Sequence, residues 1–168
     1  MRIVIPALIA LTLVSSARAA EGGKVPPAEK GGDAAAVKAV VMASIQAWDR
    51  KDAAAILAPS VKDADAVTFG TDAAEYWIGY DAVKAAVEKQ CKAMESQKTT
   101  VRDLRVKMLA GGKAAVVTYL LDAEGKSSGE TYAIKGMRVS AVLEKRQGKW
   151  LLVSSHGSVP VSGQAVKY

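Results

Sequence analysis

The 168-residue sequence contains one cysteine, one histidine and one phenylalanine. A lone thiol, Cys91, closes no disulfide within the chain, and one thiol with one imidazole cannot assemble a Cys/His zinc site. Aromatic residues make up only 5% of the chain, so any clustering of them carries information. Acidic residues are the minority charge, 17 against 23 Lys plus Arg, for a net +6. Hydrophobic residues, by contrast, reach 50%. That proportion fits one globular domain and excludes long disorder or a multi-span membrane protein.

The first 20 residues read as a processed segment. Arg2 supplies a positive start, Ile3 to Val14 an apolar stretch broken only by Pro6 and Thr12, and Ala17-Arg18-Ala19 a small-x-small cleavage signal. These are the marks of a secretory signal peptide, and the apolar run is short of the roughly 20 residues that span a bilayer. The expectation is therefore an exported protein, periplasmic or secreted, with no membrane attachment after cleavage. Loss of residues 1–20 removes Arg2 and Arg18, leaving 148 residues and a net charge of +4, too little excess to point to a polyanionic partner. Residues 21–32, rich in Gly, Pro and charge, read as a flexible leader. Residues 161–168 read as a short tail.

Between these ends, apolar spacing predicts three helices and then long strands. Asp33 is positioned to cap a helix in which Val37, Val40, Val41, Ile45 and Trp48 form one stripe. Asp52 caps a shorter helix, Ala53 to Ala58, stopped by Pro59. A short extended piece over Ala66 to Phe69 precedes a third helix from Tyr80 to Ser96, with Tyr80, Val83, Val87, Cys91 and Met94 on one side, which predicts burial for Cys91. The period then changes to two. Leu104, Val106 and Met108 alternate with Arg105 and Lys107, Ala114 to Leu121 is nearly all apolar, and Thr131 to Arg146 is a long extended segment bent or bulged at Gly136. Trp150 to Ser158 forms the last strand. Helices first and strands last predict an α+β fold, a curved antiparallel sheet wrapped around N-terminal helices as a cone with a pocket.

Three segments carry a family resemblance. AWDRKD at the end of the first helix, VTFGTDAAEYWIG after it, and the ending MRVSAVLEKRQGKWLLVSSHGSVP together resemble SnoaL-like proteins of the nuclear transport factor 2-like superfamily, over residues 33–160. The resemblance implies the cone fold and a homodimer joined through the outer sheet face. It also implies that a final-strand histidine and a preceding arginine line the cone. Ketosteroid isomerases, polyketide cyclases, dehydratases and the association domain of calmodulin-dependent kinase belong to that superfamily, so membership implies architecture more than activity.

His156 and Arg138 are the first candidate ligand-binding residues. Counting by twos puts Trp150, Leu152, Ser154 and His156 on one face of the last strand, and a hairpin at Gln147-Gly148-Lys149 would bring Arg138 beside His156. A guanidinium beside an imidazole supplies donors for a carboxylate, phosphate or enolate. The structural alternative satisfies Arg138 with Asp or Glu of the GTDAAE loop. Tyr76, Trp77 and Tyr80 cluster before the third helix, as a pocket wall or as a core plug. Acid–base chemistry of the ketosteroid isomerase kind would draw on Asp49, Asp65, Asp72 or Glu75 as carboxylate and Tyr76 or Tyr119 as phenol, with His156 as the one candidate catalytic imidazole. Gly125-Lys126-Ser127-Ser128-Gly129 matches G-x-S-x-G but lies between strands, where it reads as a hairpin tip instead of a nucleophile elbow. Arg102, Arg105, Lys107 and Lys113 read as a solvated strand face, not a nucleic-acid surface. The expected function is binding of a small organic ligand, anionic where it meets Arg138 and His156, without catalysis or cofactor. Tyr76, Trp77 and Tyr119 complete the expected lining. The alternative is an isomerase, cyclase or dehydratase moving a proton next to a carbonyl.

Overall fold

A computed structural model describes residues 32–163; the signal-like segment and all but the last residue of the leader lie outside it, as does most of the tail. Three helices, α1 (Asp33–Asp49), α2 (Ala53–Leu57) and α3 (Tyr80–Ala93), sit against a six-stranded sheet. The strands are β1 (Val67–Phe69), β2 (Tyr76–Ile78), β3 (Met94–Leu109), β4 (Ala114–Ser127), β5 (Glu130–Arg146) and β6 (Lys149–Ser158). Their order is β2-β1-β6-β5-β4-β3, antiparallel except where β1 runs parallel to β6. No helix among the described residues is long and apolar enough to cross a membrane.

The predicted helices form with adjusted ends. In α1 the buried residues are Val37, Val41, Ile45 and Ala47, while Val40 and Trp48 are only half-buried. Asp33 is not the cap expected of it. Gly32 holds that position, and the Asp33 carboxylate instead accepts from Lys145 Nζ at 2.6 Å and Trp150 Nε1 at 3.4 Å, fastening the helix start to the β5–β6 hairpin. Asp52 does cap α2, its Oδ1 accepting the Ala55 N–H at 3.0 Å. Helix α3 stops at Ala93 instead of Ser96 because the β4–β5 hairpin captures the chain there. The Ala93 carbonyl accepts from Ser128 N–H at 3.0 Å, and the Glu95 carboxylate takes Gly129 N–H at 2.7 Å and Lys126 Nζ at 2.9 Å. Cys91 is half-buried, in a satellite cluster with Ala47, Ile56, Leu57 and Val87 that joins the three helices.

Two tight hairpins order the long strands. Ser128-Gly129 and Gln147-Gly148 both have positive φ at each residue, 52° and 86° in the first and 50° and 78° in the second. This left-handed pair matches the twist of the flanking strands. The G-x-S-x-G segment therefore ends in a hairpin tip. Tyr76 to Ile78, read from sequence as the approach to a helix, is instead a strand paired with β1.

The sheet bends where its ladder is interrupted. Register shifts fall between Arg102 and Arg105, between Leu121 and Ala123, and between Val142 and Leu143. At the second, Gly136 adopts φ 65° and its N–H donates to Asp122 Oδ1 at 2.7 Å, which also accepts from Arg102 Nη2 at 2.9 Å. One carboxylate thus ties β3, β4 and β5 at the bend expected near Gly136. Behind the bend the narrow end of the cone is solid, with Val37, Val117 and Leu143 fully buried.

Two outcomes test this construction. Leu143→Ala should cost about 3 kcal/mol in chemical denaturation, the usual penalty for a cavity at a fully buried leucine. The Asp122 carboxyl is held below its ordinary value of 3.8, first by the Gly136 N–H and then by Arg102. Its contribution is present above the unfolded carboxyl pKa and is lost as pH falls through the folded one. Asp122→Asn should therefore lower the melting temperature at pH 7 and narrow the difference from the unmodified protein at pH 3.

Candidate functional site

Packed at its narrow end, the cone is hollow at the other. A cavity of about 460 Å³ lies between the concave sheet face and the helices. Its walls are mostly aliphatic, with Val41 and Ile45 from α1, Leu121 from β4, Met137 and Val139 from β5, and Leu152 from β6. Trp48 and Trp77 add aromatic surface; Trp48, which also packs against the helix cluster, borders this space because the apolar stripe of α1 faces the hollow part of the cone. No lysine or arginine is among the lining residues. An apolar chamber with a few polar groups is the usual make-up of a small-molecule site.

Three polar features stand out. Tyr119 reaches the chamber from the middle of β4, and burial pushes its phenol up to about 12. Toward the open end, Tyr132 Oη donates to Gln97 Oε1 at 2.8 Å, Gln97 Nε2 to Thr99 Oγ1 at 3.3 Å, and Thr99 Oγ1 to Asp49 Oδ1 at 2.6 Å. Desolvation, and then the Asp49 charge, raise the Tyr132 phenol as well. Near the mouth Glu75 closes its own loop. Its Oε2 accepts from Thr71 N–H at 2.5 Å, from Thr71 Oγ1 at 3.1 Å and from Asp72 N–H at 3.4 Å, while Oε1 accepts from Gln90 Nε2 at 2.9 Å.

The sequence-predicted residues divide between the two faces of the sheet. Tyr119 and Trp77 line the cavity as expected. Arg138 does not. The shift between Val142 and Leu143 leaves Val153 unpaired, so Leu143 faces Leu152 but Ser140 faces His156 and Arg138 faces Ser158. Cross-strand partners share a face, and Ser140 and Arg138 are exposed where their neighbours Val139 and Ala141 turn inward. Counting by twos fails at that extra residue, because a bulge moves every later side chain to the opposite face. Arg138 and His156 do come together, but in a shallow outer groove of about 350 Å³ with Arg105, Thr118 and Ser158. The GTDAAE carboxylates do not satisfy Arg138; among the described residues no acidic group lies within ion-pair distance of it.

His156 borders both spaces and is exposed. Its ring meets Phe69 edge-on at 5.5 Å, and Phe69 stacks on Tyr76 at 4.8 Å. Tyr76 therefore belongs to the outer face rather than to the pocket. Tyr80 packs into the helix cluster as a core plug. Of the candidate carboxylates, Asp65 is exposed, Asp72 accepts the Ala74 N–H at 2.8 Å, and Asp49 is half-buried behind Thr99. Sequence reasoning passed over Gln97, Thr99 and Tyr132; Gln97 and Tyr132 come together across Gly125 of the intervening β4. Among the described residues, no three His, Cys, Asp or Glu side chains gather as a metal centre needs.

The family model for the SnoaL-like domain matches residues 37–162. The chain belongs to the SnoaL-like family. Solved structures place it among NTF2-like folds. A protein from Streptomyces avermitilis, proposed as a dehydratase of the NTF2-like family, superposes with a TM-score of 0.69 at 16% identity over 77% of this chain and 97% of that one. An NTF2-like protein of unknown function from Pseudomonas putida gives 0.65 at 20% identity, covering 80% and 91%. A proposed calcium/calmodulin-dependent protein kinase II association domain from Xanthomonas campestris gives 0.65 at 21%, covering 77% and 89%. No curated protein shows significant similarity to the chain. At these identities the likeness fixes the SnoaL-like cone and leaves its chemistry to the residues inside.

Tyr119 provides a direct check on the chamber. A phenol whose folded pKa exceeds its unfolded value of 10.0 stabilises the fold fully below that value, and the contribution is lost as pH rises through about 12. Absorbance titration should show phenols ionising after the exposed tyrosines, and Tyr119→Phe should delete the latest of these components and soften the alkaline loss of stability.

Proposed function

We propose that this SnoaL-like protein binds a small, neutral, largely apolar organic molecule in its cone cavity and performs no proton transfer on it. The observation that carries the reading is the cavity lining, which offers about 460 Å³ of mostly aliphatic wall with no lysine or arginine among the described residues. An organic anion entering such a space would shed its hydration without meeting a lysine or arginine, which costs several kcal/mol or more. This revises the anionic ligand expected when Arg138 and His156 were assigned to the interior.

Proton transfer beside a carbonyl requires a base inside the chamber, within reach of the substrate. Glu75 is the one carboxylate in the lining, and its oxygens are engaged by its own loop and by Gln90. His156 stands at the rim, edge-on to Phe69 and exposed, instead of inside the chamber. Neither arrangement favours the isomerase or dehydratase alternative, even though relatives of this fold are described as dehydratases. With the signal-like residues 1–20, the binding reading describes a carrier or sensor acting outside the cytoplasm.

Calorimetric titration with 2-methylnaphthalene tests the reading. Burial of about 200 Å² of apolar surface predicts a Kd on the order of 100 μM or tighter. Val139→Trp, which fills the chamber from β5, should abolish the signal, while Arg138→Ala, one residue away on the other face, should leave it unchanged. Absence of binding by the unmodified protein would overturn the proposal.

Self-association is a second part of the reading. Phe69, Tyr76, Ile78 and Val142, 44%, 52%, 53% and 37% exposed, occupy outward register positions on β1, β2 and β5, with β6 between β1 and β5. A second copy related by a two-fold axis would cover these side chains reciprocally. The likeness to a structure described as an association domain agrees with that occupant. Light scattering should report a dimer at micromolar concentration and a monomer for Tyr76→Glu; a monomeric unmodified protein would contradict it.

A further inference from the structure

Hydrogen-bond direction distinguishes the two phenols of the chamber. A carboxylate can only accept, so Asp49 obliges Thr99 to donate to it. The Thr99 oxygen then accepts from the Gln97 amide, which turns the Gln97 carbonyl toward Tyr132 and spends the Tyr132 proton. Tyr132 is left with an oxygen that can accept and no proton to give. Tyr119 has the opposite status. Its side chain is inward-facing on β4, opposite Val139 and two residues from fully buried Val117. Among the described residues, no protein group takes the proton of its hydroxyl, that hydroxyl is not sealed away as a buried orphan, and the residue lines the cavity as well as bordering the outer groove.

We infer that Tyr119 is the specificity-determining donor of the cavity, and that the ligand is a neutral molecule carrying a ketone, amide or ether oxygen at the end that enters first. The inference rests on the binding function proposed above and adds the chemical class of the ligand. A buried phenol normally finds an acceptor, and a donor left unmatched in an apolar space is costly. A hydrocarbon of the same shape leaves Tyr119 unmatched; a carbonyl satisfies it. The elevated phenol pKa agrees with this assignment, because the group stays protonated throughout the working range of most proteins. At the mouth, the Tyr132 oxygen accepts a ligand hydroxyl, so a molecule with a carbonyl at one end and a hydroxyl at the other would be held in one orientation. The Ser44, Thr68, Ser127 and Ser155 hydroxyls and the Trp48 and Trp77 indole N–H groups also border the space and are the competing donors.

Two probes of matched shape separate the possibilities, 2-acetylnaphthalene with a carbonyl and 2-isopropenylnaphthalene without one. Affinities are read from quenching of Trp48 and Trp77, which both line the chamber. The ketone should bind the unmodified protein about tenfold more tightly than the alkene, the worth of one matched buried donor. Tyr119→Phe should weaken the ketone by about that factor and leave the alkene unchanged, with Ser44→Ala, Ser155→Ala and Tyr132→Phe retaining the preference. The unchanged alkene affinity guards against a folding defect in the variant. Equal affinity of the two probes for the unmodified protein would overturn the inference while leaving the cavity reading intact. So would a preference lost in a serine variant but kept in Tyr119→Phe. Failure of both probes to bind would overturn the cavity reading and this inference together.

Discussion

The carboxylate of Asp122 fixes the shape on which everything else depends. It lies where β4 and β5 lose register, and it accepts both the N–H of Gly136 and the guanidinium of Arg102 on the neighbouring strand. A flat sheet would lie against the helices along its whole length and leave no hollow. Pinned at this bulge, the far halves of β4 and β5 curl forward until the hairpin tip meets the end of α3 at Ala93 and the start of β3 at Glu95. Gly136 is needed at that place because its φ of 65° is strained for any residue with a Cβ. The cavity is therefore a consequence of curvature, while stability comes from the closed end, where Val37, Val117 and Leu143 are sealed from water.

Bulges also decide which chemistry faces which way. Inward positions are aliphatic and neutral, with Tyr119 and the Tyr132–Gln97–Thr99 chain as the main polar features. Outward positions carry the charge, Arg105 and Arg138 among them, together with the exposed aromatic pair Phe69 and Tyr76. Separating these two surfaces across a single sheet lets one face hold a ligand while the other meets a second copy. The two spaces share Tyr119, Val139 and His156, which border both the cavity and the outer groove.

Much of this architecture was legible from periodicity. The apolar stripe of α1, the Asp52 cap, the alternation along β3 and the bend near Gly136 all follow from local spacing and backbone chemistry. The order of helices before strands then implied the cone. The site was less legible because its decisive features are non-local. Nothing in SSHGS announces that Val153 is skipped, yet that one residue moves His156 to the rim and its partners to the outer face. Tyr119 could be named as a phenol of interest, but its status as a free donor depends on what surrounds it. Tyr132 and Gln97 are separated by 35 positions and acquire their roles only when the hairpin closes. Asp33 illustrates the same limit, since a good helix cap was diverted to Lys145, 112 positions away.

The central claim is that the ligand site is the uncharged interior, not the cationic groove outside it. The most direct measurement compares the affinities of methyl 2-naphthoate and the 2-naphthoate anion at neutral pH, with the unmodified protein and with Arg138→Ala. The account predicts that the ester binds, that the anion binds at least tenfold more weakly, and that Arg138→Ala changes neither value. Tighter binding of the anion, lost on removal of Arg138, would contradict it.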